Sequence, residues 1–387
     1  MKRFLHIDVP NELRLLANQF AMNGHQLFLV GGAVRDAVLG NPPKDFDVAT
    51  DASPDRVTEL VSNIAGAKVL EVGKAFGVVK LVFPSTLEFE IATFRIDVGA
   101  GRRPDSVVFS TIEEDVKRRD LTINALFWDI YTHEVVDLVG GLNDIANGVV
   151  RTVGNPNDRF NEDRLRVLRA VRFAAQLGCE LHPDTERAIR TNPSLKGVSA
   201  ERIRDEFLKG LHKARSVTHF LMMLDRLRLL PEVFPGLRVN IDHFREVRDA
   251  NVLLALLLVD NFDPPIAEAS LATRLNQLKY TTDEVRQVTF FRSFRFLSQN
   301  SGCCSALKLH REFNISGLSE QQVRQFAGIY ALPNEAVVNA FFKYSPSVKA
   351  EELMEQGFKG KELGVELTNR EEIEFLRLLH AEETRSS

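Results

Sequence analysis

The chain has 387 residues, 44% of them apolar, three cysteines and a formal net charge of −4. That length suggests two to four compact units, and the apolar share is ordinary for a soluble globular protein with a sizeable core. The negative balance excludes a polybasic nucleic-acid binder, so any nucleic-acid surface must come from local clusters of positive charge. The longest apolar run, residues 252–259, is far too short to span a bilayer and predicts a buried helix. The start, MKRFLHIDVPNEL, is basic but lacks the apolar core of a secretion signal, which points to a cytoplasmic address and no membrane. Cys179, Cys303 and Cys304 form no CxxC pair and have no companion histidines, so buried thiols are expected rather than a disulfide or zinc site.

In chain order, HQLFLVGG predicts a short apolar strand ending in Gly31 and Gly32, and AVRDAVLG a short helix closed by Gly40. DFDVATD follows as a strand, and SPDRVTELVSNIAG as a helix with Ser53 at its N-cap and Pro54 at its first position. VVKLVF and LEFEIATF predict a hairpin split by PST, and DSVVFS and LTINALFWD complete a small mixed sheet. This is an α+β domain ending near residue 140. Beyond it the apolar period shifts to about 3.6 residues, with helices expected over 160–177, 184–191, 199–212, 216–229, 243–259 and 282–298. The tail predicts helical pieces broken at Gly357, Gly360 and Gly364. No protein partner is evident. Two arginine clusters stand out, Arg151 to Arg172 and Arg292 with Arg295; each reads either as a solvated helix face or as a nucleic-acid surface.

The chemistry concentrates in residues 28–50. On a strand, Asp45 and Asp47 would point to one face while Phe46 points into the core. Two carboxylates on one face suit a divalent cation, and oxygen ligands suit Mg²⁺, which binds through one or two carboxylates plus substrate phosphates. Such ions can activate an attacking hydroxyl and stabilise a leaving pyrophosphate. Glu88 and Glu90 share a face by the same alternation, and Glu90 is the expected third carboxylate. Gly31 and Gly32 would let backbone N–H groups approach phosphate oxygens, and Arg35 could add its fork of donors. Downstream, Arg118 and Arg119 beside Asp120 read as a ribose and phosphate holder or as a salt-bridged turn.

In NEDRLRVLRAVRFAAQLG, Glu162 and Arg166 are i,i+4 neighbours on a helix, and Asp163 and Arg166 are i,i+3 neighbours. They read either as surface ion pairs or as a base-reading device. Cytosine and adenine each present an amino donor beside a ring-nitrogen acceptor. Asp163 could accept from the first and Arg166 donate to the second, with Glu162 steadying Arg166. Uracil and guanine present the reverse pattern and would leave mismatched polar groups.

Taken together, FLVGGAVRDAVLGNPPKDFDVAT, KRRDLTINAL, NEDRLRVLRAVRFAAQLG, SAERIRDEFLKGL, RRPDSVVF, EVGKAFGVVKL and the segment near 347–367 resemble the class II tRNA nucleotidyltransferases, the CCA-adding family related to bacterial poly(A) polymerases. The resemblance covers nearly the whole chain. It implies a polymerase-β-type nucleotidyltransferase head (1–140), then an all-helical neck with the base-reading motif (141–212), body (213–300) and tail (301–387), in a hooked shape gripping the tRNA acceptor arm and T arm. It also implies that Asp45 and Asp47 bind the catalytic metals and that Arg118, Asp120 and Asn124 contact sugar and phosphates. Glu162, Asp163 and Arg166 would form the protein template, helped by Arg169. SAERIRDEFLKGL would buttress the base-reading helix. CTP would be added twice and ATP once. The stretch 96–101, IDVGAG, is shorter than the family's flexible loop, and the resemblance implies that relatives lacking the full loop tend to stop after CC. CC-only or A-only addition, poly(A) synthesis and an inactive RNA-binding protein are the alternatives. No His-Asp pair of a phosphohydrolase domain is found, so no phosphatase activity is expected.

Overall fold

The computed structural model describes residues 3–43, 45–62, 64, 66–70, 73–85, 87–99, 105–237, 247, 249–258, 268–297, 306–330 and 333–386. The chain divides into two units, Met1–Val198 and Ser199–Ser387. Cys303 and Cys304 lie outside the described residues, and Cys179 is half-buried.

The first unit is built on a mixed sheet of β1 (Arg3–Phe4), β2 (Leu27–Val30), β3 (Asp47–Thr50), β4 (Lys68–Leu70), β5 (Val78–Val82), β6 (Glu88–Thr93), β9 (Leu126–Asp129) and β10 (Glu134–Asp137), in the order β1-β10-β9-β2-β3-β6-β5-β4. The pair β7 (Arg95–Val98) and β8 (Ser106–Phe109) stands apart as a two-stranded ribbon, as does the parallel pair β11 (Val149–Val150) and β12 (Glu180–Leu181). The helices are α1 (Asn11–Met22), α2 (Gly32–Val38), α3 (Pro54–Ser62), α4 (Ile112–Asp115), α5 (Gly141–Ala146), α6 (Pro156–Glu162), α7 (Leu165–Leu177) and α8 (Pro183–Thr191). Strand β2 is buried on both faces because an apolar cluster packs against each side of the sheet. Leu27, Leu29, Val48, Phe89 and Ile91 pack with α1 and α3 on one side. Phe28, Val30, Ala49, Phe94 and Phe127 pack on the other.

Three expectations are corrected here. DSVVFS does not join the main sheet: the chain turns out at buried Phe94, whose N–H bonds the Thr50 carbonyl at 2.9 Å, and Ser106–Phe109 then pairs only with Arg95–Val98. LTINALFWD is a strand only from Leu126, since Thr122–Asn124 forms a 3₁₀ turn. The predicted single helix over 160–177 is two helices, α6 and α7, broken where Asp163 adopts extended angles of φ −150° and ψ 106°. Aspartate favours that conformation because its side chain can cap the next helix.

The second unit comprises α9 (Ala200–Lys213), α10 (Val217–Arg226), α11 (Leu230–Val233), α12 (Ala250–Leu258), α13 (Glu268–Gln277), α14 (Thr282–Phe294), α15 (Ala306–Ser316), α16 (Glu320–Tyr330), α17 (Glu335–Lys343), α18 (Ala350–Glu355) and α19 (Gly360–Ser386). Gly210 permits α9 and α10 to touch, since a Cβ there would strike the Phe220 ring. Helix α12 is buried, as its uninterrupted apolar run predicts. Phe290, Phe291 and Phe294, which interleave with Arg292 and Arg295, face the core. Gly364 does not break the tail, because α19 runs through it. Among the described residues no helix is long and apolar enough to cross a membrane.

Candidate active site

The sheet explains where the acidic residues meet. In the parallel pair β3–β6, Asp47 stands opposite Glu90. Alternation sends Phe46 and Val48 toward the α1–α3 side of the sheet, so Asp47 and Glu90 share the side that carries Phe127 and Phe94. Asp45 lies in a bend before the strand rather than on it, so strand alternation does not place its carboxylate; it is exposed, yet close enough for its charge to act on Asp47. Neighbouring protein strips water from Asp47 although its surface is open. That desolvation raises its pKa; the charges of Glu90 and then Asp45 push the same way, and Arg119 partly offsets them. Glu88 instead bonds Lys80 at 2.5 Å, which leaves Glu90 as the partner of Asp47.

This donor set fits a hard cation: two further carboxylates lie within electrostatic reach of Asp47, and both disfavour its anion. Among the described residues no group of three or more His, Cys, Asp or Glu side chains is arranged to hold a metal by itself. A cation at this edge would therefore take further oxygens from substrate and water.

The glycine turn enters from β2. Gly31, with φ 71° and ψ −130°, occupies a region that strains any residue with a Cβ, and its N–H bonds the Leu126 carbonyl at 3.2 Å. The fork of Arg35, expected to face phosphate, is turned inward. Its Nε and Nη2 donate to Asp36 at 2.9 and 2.7 Å, and its Nη1 to Asn124 Oδ1 at 2.5 Å. Buried Asn124 is thereby fixed with its Nδ2 donor lacking a partner, the kind of orphan that a ligand oxygen would satisfy.

The tandem arginines do not pair with Asp120. Both reach back to Asp115, which is buried: Arg118 Nε donates to Oδ1 at 2.8 Å, and Arg119 Nη2 donates to Oδ2 at 3.0 Å. The i,i+3 and i,i+4 spacings were the available signal for Asp115, which sequence reasoning passed over. Arg119 also lies 4.4 Å from the Phe127 ring centre, and burial lowers its pKa more than Asp115 raises it. Asp120 belongs to α7 instead, accepting from Arg169 Nε at 2.8 Å and from the Leu121 N–H at 2.8 Å. Burial alone would raise its pKa, but the Arg169 charge and these hydrogen bonds hold it below the usual carboxylate range.

At the α6–α7 corner, Asp163 Oδ1 accepts the Leu165 N–H at 3.1 Å, and the Asp163 carbonyl accepts the Arg166 N–H at 3.0 Å. Arg166 donates to Glu162 at 2.5 Å and to the Arg118 carbonyl at 2.9 Å. Glu162, Asp163 and Arg166 together line a cavity of about 540 Å³, with Ile96, Asp97 and Arg118 among its other walls. Charge at one link and hydrogen bonds at the others thus connect the two parts of the site. Asp47 feels Arg119, Arg119 and Arg118 share Asp115, and Arg118 carries Arg166.

Residues 27–151 match the family model described as the poly(A) polymerase head domain, and residues 178–240 match one described as a probable RNA and SrmB binding site of polymerase A. A CCA-adding enzyme of Bacillus subtilis is 46% identical over 217 residues, which are 55% of this chain and 52% of that protein. Over about half its length the chain is similar to CCA-adding enzymes and to bacterial poly(A) polymerases. Poly(A) polymerase I of Salmonella typhi is 37% identical over 227 residues, 55% of this chain and 47% of that protein. The chain spans about half the length of the curated relatives it matches. In three dimensions, a Bacillus stearothermophilus CCA-adding enzyme solved in complex with CTP superposes with a TM-score of 0.70 at 26% identity, covering 97% of this chain and 98% of that one.

Proposed function

We propose that this protein adds C, C and A to the 3′ end of tRNA without a nucleic-acid template, by two-metal nucleotidyl transfer from CTP and ATP that releases pyrophosphate. The observation that carries this reading is the hydrogen-bonded run from Arg119 and Arg118, which share Asp115, to the Glu162–Arg166 corner, with the Arg119 charge acting on Asp47 opposite Glu90. One wall can then address a triphosphate at one end and a base at the other. The solved relative that holds CTP supports the same reading.

Asp45 and Asp47, with Glu90 as the third carboxylate, would hold Mg²⁺. When bound, the ion would make the tRNA 3′ hydroxyl more acidic and draw negative charge from the triphosphate. The 3′ oxygen bonds to the α-phosphorus as the bond to the β-phosphate bridge breaks, pyrophosphate leaves, and the hydroxyl proton passes to solvent. Gly31 and Gly32 leave room for phosphate beside the turn. Arg118, Asp120 and Asn124 would contact sugar and phosphates, with the unpartnered Asn124 Nδ2 as the donor on offer. Arg35 acts through Asn124, Arg119 through Asp115, and Arg169 through Asp120. Asp163 would accept from the amino group of cytosine or adenine while Arg166 donates to the adjacent ring nitrogen. The division into head (1–140), neck (141–212), body (213–300) and tail (301–387), with the later parts receiving the tRNA acceptor and T arms, belongs to the same proposal, as does a cytoplasmic address.

A second reading, CC-only or A-only addition, is favoured by the short stretch 96–101, IDVGAG, in the sequence. Incubation with tRNA lacking CCA, Mg²⁺ and labelled CTP or ATP decides between them. Three added nucleotides support the proposal, and incorporation of C without A supports the second reading. A long A ladder would replace both with poly(A) synthesis, and no incorporation would leave an RNA-binding protein.

A further inference from the structure

The carboxylate of Glu162 is gripped from both sides. Arg166 Nη1 bonds Oε2 at 2.5 Å, and Arg159 Nη2 bonds Oε1. Each arginine also reaches a backbone carbonyl on the same neighbouring turn. Arg166 Nη2 donates to the Arg118 carbonyl at 2.9 Å, and Arg159 Nη1 donates to that of Lys117. Arg166 Nη1 makes a further bond to the Arg159 carbonyl at 3.2 Å. Both guanidiniums are largely buried, each with 17% of its side chain exposed, and both line the cavity. The arrangement is symmetrical, with one carboxylate between two planar forks and each fork pinned to the chain beyond it.

We propose that Arg159 is a specificity-determining positioning residue for the incoming base. It rests on the base-reading assignment above. Arg166 reads the base only if its plane is fixed, and its plane is set by Glu162. A carboxylate held at a single oxygen can swing about its last torsion, whereas one held at both oxygens cannot. Arg159 supplies the second hold and ties Glu162 to the Lys117–Arg118 turn, so that the base reader and the arginine wall keep one geometry. A polar reader that drifts loses discrimination sooner than it loses affinity, because the correct and the mismatched base then meet similar donors.

The test compares the wild type with Arg159→Gln and Arg159→Lys. Readouts are kcat and KM for CTP and UTP on tRNA lacking CCA, together with equilibrium titration of CTP and UTP without turnover. The Gln variant is expected to lower the CTP-over-UTP preference about tenfold, mainly by admitting UTP. The Lys variant, which cannot hold Glu162 and the Lys117 carbonyl together, is expected to fall between. Placed in a Glu162→Gln background, Arg159→Gln should change the preference no further, since Arg159 acts through Glu162. An unchanged preference in the Gln variant overturns the proposal, as does a uniform loss for both nucleotides accompanied by a lower melting temperature. If the wild type transfers nothing, the proposed function fails by itself, and the equilibrium titrations still decide the role of Arg159.

Discussion

The two ends of the site are charged in opposite ways. Where β3 meets β6, Asp45, Asp47 and Glu90 stand as like charges, and Asp47 is raised in pKa first by desolvation and then by the charges of Glu90 and Asp45. At the α6–α7 corner opposite charges are paired: Glu162 lies between two arginines, and nearby Asp120 faces Arg169. An uncompensated cluster costs stability until a cation arrives, so its chemistry waits on a ligand. A compensated cluster is rigid beforehand, which suits a device that must distinguish hydrogen-bond patterns. One region is built to receive charge and the other to resist rearrangement.

Removing a carboxylate from the first region should break the comparison most severely. Asp47→Ala is expected to lower incorporation of both CMP and AMP by about a thousandfold or more, while tRNA retention in a filter-binding assay stays near wild type. Full residual incorporation would remove the metal assignment. The next effect concerns stability in the second region. Asp120→Asn leaves half-buried Arg169 facing a neutral amide and is expected to cost about 1–2 kcal/mol at pH 7 by denaturant unfolding. Because the folded pKa of Asp120 is depressed, its contribution is complete above the unfolded value of about 4 and is lost as the pH falls through the folded value. The difference between variant and wild type should therefore shrink below pH 4. Persistence of the full difference in acid would contradict the pairing.

Smaller effects sharpen the contrast. Asp163→Ala is expected to admit UTP, with about a tenfold loss of preference visible in single-nucleotide incorporation; unchanged selectivity would take Asp163 out of the template. Asp47→Asn, measured in EDTA, should slightly stabilise the protein, by about 0.5 kcal/mol or less, because it removes like-charge repulsion across β3 and β6. A clear loss of stability would mean that Asp47 is already compensated without a cation.

Local patterns made much of this legible. The Gly31 turn, the Ser53 cap, the hairpin around PST and the Glu162–Arg166 spacing follow from residues close in sequence, and the structure has them where they were expected. Asp47 and Glu90 were predicted as faces of separate strands, but only the parallel register sets them opposite each other. Ion-pair choice was the weak point. Arg118 and Arg119 had acidic neighbours on both sides, and adjacency suggested Asp120, whereas helical spacing and burial select Asp115. The break at Asp163 was hidden because apolar periodicity continues across it. The cap signal was present in the sequence but was outweighed by the longer pattern. Arg159 was taken as one of several basic residues, since its partners, the far oxygen of Glu162 and the Lys117 carbonyl, are brought together by the fold.

Strand β3 is flanked on both sides, by β2 and by β6. Its hydrogen bonds to two neighbours leave no freedom to slide, and sliding by one position would exchange Asp47 for Phe46 or Val48 on the working side. Asp45, which sits in the bend ahead of the strand, has no such constraint. Insertions in the turn before Asp45 could be absorbed by local rearrangement, whereas a single residue added within β3 would invert its parity and turn a carboxylate toward oil. The sheet thus acts as a ruler for one acidic group and leaves the other on a hinge.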